Sequence, residues 1–143
     1  MTRSEIREHI FKLLFRIEFN AAEDMPSQIR LYFEDPVNAE EDDRKKAGWI
    51  QEKDERYIRE KYLKIADKIP ELDSLIDHAA KGWKASRLGK VDLTILRLAV
   101  YEVKFDEDIP VGVAIDEAVE LAKKFGQDES PAFINGILAK IAM

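Results

Sequence analysis

Residues 91–105 constrain the fold most strongly, because their apolar side chains recur at helical spacing along two stripes rather than one. A helix that is apolar on nearly all sides has to be surrounded by other elements, since none of its faces suits contact with water. We therefore predict a central helix against which the others pack. Its first stripe consists of Val91, Ile95, Leu98 and Phe105, and its second of Leu93, Leu96, Val100 and Val103.

Two further helices are predicted after the central one. Pro110 suits the first position of a helix, where its missing N–H would have no partner in any case, and Gly126 is a natural stop. Ser130 is predicted as the N-cap of the last helix, with Pro131 just inside it. Because glycine costs about 1 kcal/mol against alanine inside a helix, Gly136 is expected to be compensated by close packing.

The N-terminal half is predicted to be helical as well. Thr2 and Glu5 have the spacing of a capping box, which places the start of the first helix there. A short helix ends near Glu34, and a charged segment follows in which residues 38–48 form either a helix start or a loop. Pro70 is predicted to close the next helix. Since no alternating strand pattern occurs, the chain is predicted to be all-α, with about seven helices in a single domain, residues 1–143.

Composition and motifs exclude several classes of function. The 143 residues include no cysteine, which excludes disulfide scaffolds and thiolate metal sites and fits a reducing compartment. No apolar run reaches the roughly 20 residues of a membrane span, and no signal-peptide core is present, so we predict a cytoplasmic protein. His9 and His78 form no metal motif, and no phosphate loop or nucleophile motif occurs. We therefore predict no catalytic residue, no metal and no cofactor.

Charge is distributed unevenly along the chain, whose formal net charge is −6. Residues 1–16 carry four basic and two acidic side chains, and residues 81–90 carry four basic and no acidic ones. The remaining residues hold 15 basic against 27 acidic side chains. Because affinity for nucleic acid depends on basic surface, these two segments are the places to look for a polyanion site, and the plain alternative is a solvated helix face. Among the apolar residues of the central helix, Glu102 is predicted to be buried. Its carboxylate is expected either to accept backbone N–H bonds from a neighbouring helix N-terminus or to pair with a base.

Several short runs carry a resemblance to a known family. ILRLAVYE at 95–102, AIDEAVELAK at 114–123, and FG and FING at 125–126 and 133–136 resemble the NusB family of bacterial transcription antitermination factors. The runs occur in the order and at the spacing of that family. The resemblance is close over the C-terminal third to half of the chain and weak over residues 21–81.

The resemblance implies both a fold and a function. NusB-like proteins consist of two small three-helix bundles packed across each other, bind no cofactor and catalyse no reaction. They bind the boxA element of nascent ribosomal RNA leaders together with NusE, a ribosomal protein of the small subunit. The pair then helps to assemble the antitermination complex on RNA polymerase.

The resemblance also implies which residues bind RNA and NusE. Basic side chains neutralise phosphates, aromatic rings stack on unpaired bases, and carboxylate acceptors read base edges. The RNA-binding residues implied in this way are Arg3, Arg7, Lys84, Arg87, Lys90, Phe125, Glu129 and Phe133. The partner-binding residues are Phe15, Asp92 and Arg97. For Phe125 and Phe133, a place in the core is an equal alternative.

Departures from the family pattern leave other interpretations open. Ser4 and Glu5 interrupt the run of arginines found in many family members, so we expect weak RNA binding by the chain alone and a stronger dependence on NusE. One alternative is a helical protein–protein interaction module without RNA binding. Another is a NusB-like domain related to the N-terminal part of ribosomal-RNA cytosine methyltransferases. A homodimer is also open, because apolar helix faces can be buried between two copies.

Overall fold

The computed structural model describes residues 1–34, 50–81 and 85–143, except for the side chain of Ser86. These ranges contain seven α-helices and no strand, which confirms the all-α prediction. The helices are α1 (Arg3–Arg16), α2 (Met25–Glu34), α3 (Glu52–Asp67), α4 (Ile69–Ala79), α5 (Lys90–Phe105), α6 (Val111–Phe125) and α7 (Ser130–Ala142), and short 3-10 turns occupy Ala22–Asp24 and Ala85–Arg87. The predictions for residues 38–48 and for Lys84 lie outside the described residues.

The chain divides into two compact units, Met1–Leu63 and Lys64–Met143. The N-terminal unit contains α1, α2 and most of α3, and the C-terminal unit contains the end of α3 and helices α4 to α7. A single domain over residues 1–143 stays a prediction.

Helix α1 begins as the sequence predicts. The Thr2 hydroxyl accepts the backbone N–H of Glu5 at 3.1 Å, and the Glu5 carboxylate accepts the backbone N–H of Thr2 at 3.4 Å. This capping box satisfies two donors that have no partner inside the helix. The apolar face of α1 is buried at Ile10, Phe11, Leu13 and Leu14.

Polar side chains join α1 to α2. Tyr32 of α2 is fully buried, and its hydroxyl lies 2.5 Å from Nδ1 of His9. The Arg16 guanidinium donates to the backbone oxygen and the side-chain oxygen of Gln28, at 3.2 and 3.0 Å, and lies 5.2 Å from the centre of the Tyr32 ring. Burial raises the pKa of the Tyr32 phenol above its usual range. The end of α1 is therefore held against α2 in one orientation.

Helix α5 is the central helix of the C-terminal unit, as predicted. It packs against α4, α6 and α7, and nine of its 16 residues are buried. Glu102 is one of them, with 1% of its surface exposed, so the prediction of burial is confirmed and its hydrogen bond stays a prediction. The predicted stripes become more exposed at the helix ends. Phe105 is 36% exposed, and the Lys68 ammonium lies 4.5 Å from the centre of its ring.

A tight turn joins α6 to α7 at Gly126. The Gly126 N–H donates to the Ala122 oxygen at 2.9 Å and ends α6, as predicted. A Cβ atom at Gly126 would lie 2.7 Å from the side chain of Ser130 and 2.8 Å from the Ala122 oxygen, so any other residue would force the turn to shift. Ser130 is not the N-cap of α7; it is the first helical residue, and its buried hydroxyl accepts the Gln127 N–H at 2.9 Å.

Three other predictions differ from the structure. Pro110 lies one residue earlier than predicted, as the N-cap of α6. Pro70 does not close α3, which ends at Asp67; it lies in the first turn of α4, where a missing N–H costs nothing. Gly136 is exposed, and a Cβ atom there would meet nothing within 4 Å. The prediction of close packing around it is therefore wrong, because it lies on the outer face of α7.

Candidate nucleic-acid and partner interface

The two predicted arginines of α1 differ in exposure. Arg3 is exposed in the first turn, whereas Arg7, one turn later, is only 5% exposed. Arg7 lies in line with the buried Ile10 and Leu14, on a helix face that is shielded from solvent. A phosphate can reach Arg3 in this arrangement, but the guanidinium of Arg7 would first have to leave its buried place.

The basic segment of the C-terminal unit is held by a neighbouring helix. Arg87 and Lys90 are both exposed, at the end of the 3-10 turn and at the start of α5. The N–H of buried Ala85, which opens this turn, donates to the Asp77 carboxylate of α4. Sequence analysis missed Asp77, because an acid eight residues before the turn carries no signal of the contact. The exposed guanidinium and ammonium groups suit phosphate neutralisation.

The aromatic residues predicted to face RNA are half-buried. Phe125 ends α6, and the Lys124 ammonium lies 5.5 Å from the centre of its ring. Glu129 is exposed at the N-cap of α7, and Phe133 follows it by one helical turn. Half-burial means that each ring contributes one part to the core and offers the other to solvent. Core packing and base stacking are thus compatible at both positions.

A groove of about 530 Å³ lies between α6 and α7, on a different side of α7 from Phe133. It is lined by Asp116, Val119, Glu120, Lys123, Pro131, Ala132 and Asn135. Asn135 follows Phe133 by two residues, about 200° around a helix. Lys123 is already paired with Glu120 at 3.3 Å. Two carboxylates and a paired lysine make the groove unsuited to phosphate.

The predicted partner-binding residues have different surroundings. Phe15 is half-buried between Phe11 and Phe19, with ring centres 6.0 and 5.0 Å away. Phe19 is 61% exposed, and sequence analysis did not include it among the partner-binding residues. Its place four residues after Phe15, at the end of an apolar helix face, was an available signal. The exposed ring offers apolar contact area to another molecule.

Asp92 and Arg97 lie on α5 in the C-terminal unit. Asp92 is half-buried in the first turn. Arg97 donates from Nε and Nη2 to the two carboxylate oxygens of Asp73, at 2.8 and 2.9 Å. This two-pronged pair ties α5 to α4 and leaves 11% of the Arg97 side chain exposed. The fold of the unit alone explains the position of Arg97, and its contact with a partner stays a prediction.

Two structural features bear on membranes and metals. Within the described residues, no helix is both long and apolar enough to cross a membrane. Over the same ranges, no three His, Cys, Asp or Glu side chains are grouped as a metal site requires.

The family model described as "NusB family" matches residues 4–143. The chain belongs to the NusB family. A relative from Agathobacter rectalis named "Transcription antitermination protein NusB" is 50% identical over 142 residues, which covers 99% of this chain and 100% of the relative.

Solved structures of NusB proteins share the fold. NusB of T. maritima is 33% identical, with a TM-score of 0.78, and the match covers 99% of this chain and 91% of that one. A structure of the antitermination factors NusB and NusE in complex with double-stranded RNA also matches, with a TM-score of 0.71 over 99% of this chain and 98% of that one. Its sequence identity is 24%, so this second match shows the fold alone.

Proposed function

We propose that this chain is a transcription antitermination factor that binds boxA RNA in nascent ribosomal RNA leaders together with NusE and helps to assemble the antitermination complex on RNA polymerase. The observation that carries the proposal is the end-to-end match to a relative named transcription antitermination protein NusB. In this proposal the chain binds RNA and a partner and catalyses no reaction. It acts in the cytoplasm, where RNA polymerase makes nascent transcripts.

The residues proposed to bind RNA offer two kinds of contact. Arg3 in the N-terminal unit and Arg87 and Lys90 in the C-terminal unit are exposed cations that suit phosphates. Lys84 belongs to the same basic segment of the sequence as Arg87 and Lys90. The half-buried rings of Phe125 and Phe133 suit stacking on unpaired bases, and exposed Glu129 suits a base edge with a donor group. Arg7 takes a structural role in the N-terminal unit, because its guanidinium is buried.

The partner surface for NusE is centred on the end of α1. Phe15 and the more exposed Phe19 form an edge-to-face pair there, and such apolar rings are typical anchors of protein interfaces. Asp92 on α5 remains a further proposed contact. Because the chain is acidic, with 29 acidic against 23 basic side chains, we expect RNA binding by the chain alone to be weak and NusE to raise the affinity.

The test is fluorescence anisotropy with a boxA-like RNA and a scrambled RNA, with and without NusE, at two salt concentrations. The proposal expects a preference for boxA that NusE strengthens, and an affinity for RNA that falls at higher salt. Equal binding of both RNAs in the presence of NusE would contradict it. That result would favour the protein–protein module. The next measurement would then be NusE binding by Phe19→Ser, which should be weakened. Leu31→Ser is the matched control, because Leu31 is another exposed apolar residue of the same unit.

A further inference from the structure

The turn that carries Arg87 is attached to α4 by one carboxylate. Ala85 opens the turn, is 4% exposed, and donates its backbone N–H to Oδ1 of Asp77. Leu88 then donates its N–H to the Ala85 oxygen at 3.2 Å, which closes the turn. A buried N–H without an acceptor costs free energy. The bond to the Asp77 carboxylate therefore stabilises the conformation in which the turn is attached to α4.

This attachment matters because of the charges that surround it in sequence. Residues 81–90 carry four basic and no acidic side chains, and like charges repel one another. Arg87 and Lys90 nevertheless take defined, exposed places at the end of the turn and at the first residue of α5. An exposed cation binds a phosphate better when its backbone is already in place, because less conformational freedom is lost on binding.

We propose that Asp77 is a positioning residue for RNA binding: it touches no nucleotide, and it holds the turn that presents Arg87 and Lys90 to phosphates. The proposal rests on the RNA-binding function proposed above. In this proposal an acidic side chain favours the binding of a polyanion. From charge alone, the same side chain would be expected to oppose that binding.

Two substitutions separate positioning from charge. Asp77→Ala and Asp77→Asn both remove one negative charge, but only asparagine retains a side-chain oxygen that can accept the Ala85 N–H. We expect Asp77→Asn to bind boxA RNA at least as tightly as the wild type, and Asp77→Ala to bind about three- to tenfold more weakly than Asp77→Asn. A simple charge effect predicts equal gains for both variants, and that result would overturn the proposal.

Amide hydrogen exchange of the protein without RNA tests the attachment itself. Asp77→Ala should lower the protection of the Ala85 N–H about tenfold and leave the amides of α5 unchanged. If both variants lose this protection, the bond requires the charged carboxylate. Both must then bind RNA more weakly than the wild type, or the proposal fails. Unchanged protection in Asp77→Ala would also overturn it.

A double-mutant cycle shows whether Asp77 acts through Arg87. In an Arg87→Ala background, the difference in RNA affinity between Asp77→Asn and Asp77→Ala should be smaller than in the wild-type background, because part of what Asp77 positions is already absent. Equal differences in both backgrounds would contradict the proposal.

A wild type that does not prefer boxA would overturn both the proposed RNA function and this role of Asp77. Hydrogen exchange would still report whether Asp77 holds the turn.

Discussion

Two glycines of the C-terminal unit should respond to alanine in opposite ways. At Gly126 a new Cβ atom would lie 2.7 Å from the Ser130 side chain and 2.8 Å from the Ala122 backbone oxygen, so the turn between α6 and α7 would have to shift. We expect Gly126→Ala to cost about 1–3 kcal/mol of unfolding free energy, the usual range for overpacking. At Gly136 nothing lies within 4 Å, so Gly136→Ala should gain about 0.5–1 kcal/mol from helix propensity.

Urea unfolding followed by circular dichroism measures both changes, and thermal melting provides a second readout. The two variants should differ by about 1.5–4 kcal/mol, and each kcal/mol shifts the Tm of a chain of this size by about 2–4 °C. Each variant is the control for the other, since both add the same methyl group to the same unit. A loss of stability in Gly136→Ala, or none in Gly126→Ala, would refute the reasoning from local space.

Other substitutions test the assignment of structural and binding roles. Arg3→Ala should reduce the salt dependence of RNA binding by about 0.7 in the slope of log affinity against log salt, without a change in stability; Arg7→Ala should lower stability in the same urea assay instead, because Arg7 is buried. Arg97→Ala should cost about 1–3 kcal/mol in urea unfolding, because it leaves the partly exposed Asp73 carboxylate of α4 without its partner. Tyr32→Phe should cost about 1–2 kcal/mol at neutral pH by removing the hydroxyl near His9. Because burial raises the pKa of Tyr32 in the folded chain, its phenol ionises above about pH 10 in the unfolded chain while it stays neutral in the folded one. The stability of the wild type should therefore fall above about pH 10, and that of the phenylalanine variant should fall less.

The elements that the sequence predicted correctly depend on short-range patterns. The capping box at Thr2, the apolar stripes of α5 and the stop at Gly126 each involve residues a few positions apart, and helical geometry places such residues together. The predictions for Pro110 and Ser130 were wrong by one residue, because local signals place a helix boundary only approximately. The buried Ser130 hydroxyl accepts the N–H of Gln127, in the turn before α7, and so does not cap the helix that follows.

By itself, the sequence determined the all-α class, the central helix, the concentration of basic charge in two segments and the resemblance to the NusB family. The tertiary structure alone decided which of the candidate side chains are available to a partner. Arg3 and Arg7 are alike in type and differ in exposure, and Arg97 is held by an aspartate 24 residues away. The physical reason is that burial and pairing depend on which helices meet in space, and helical periodicity fixes only which residues share a face.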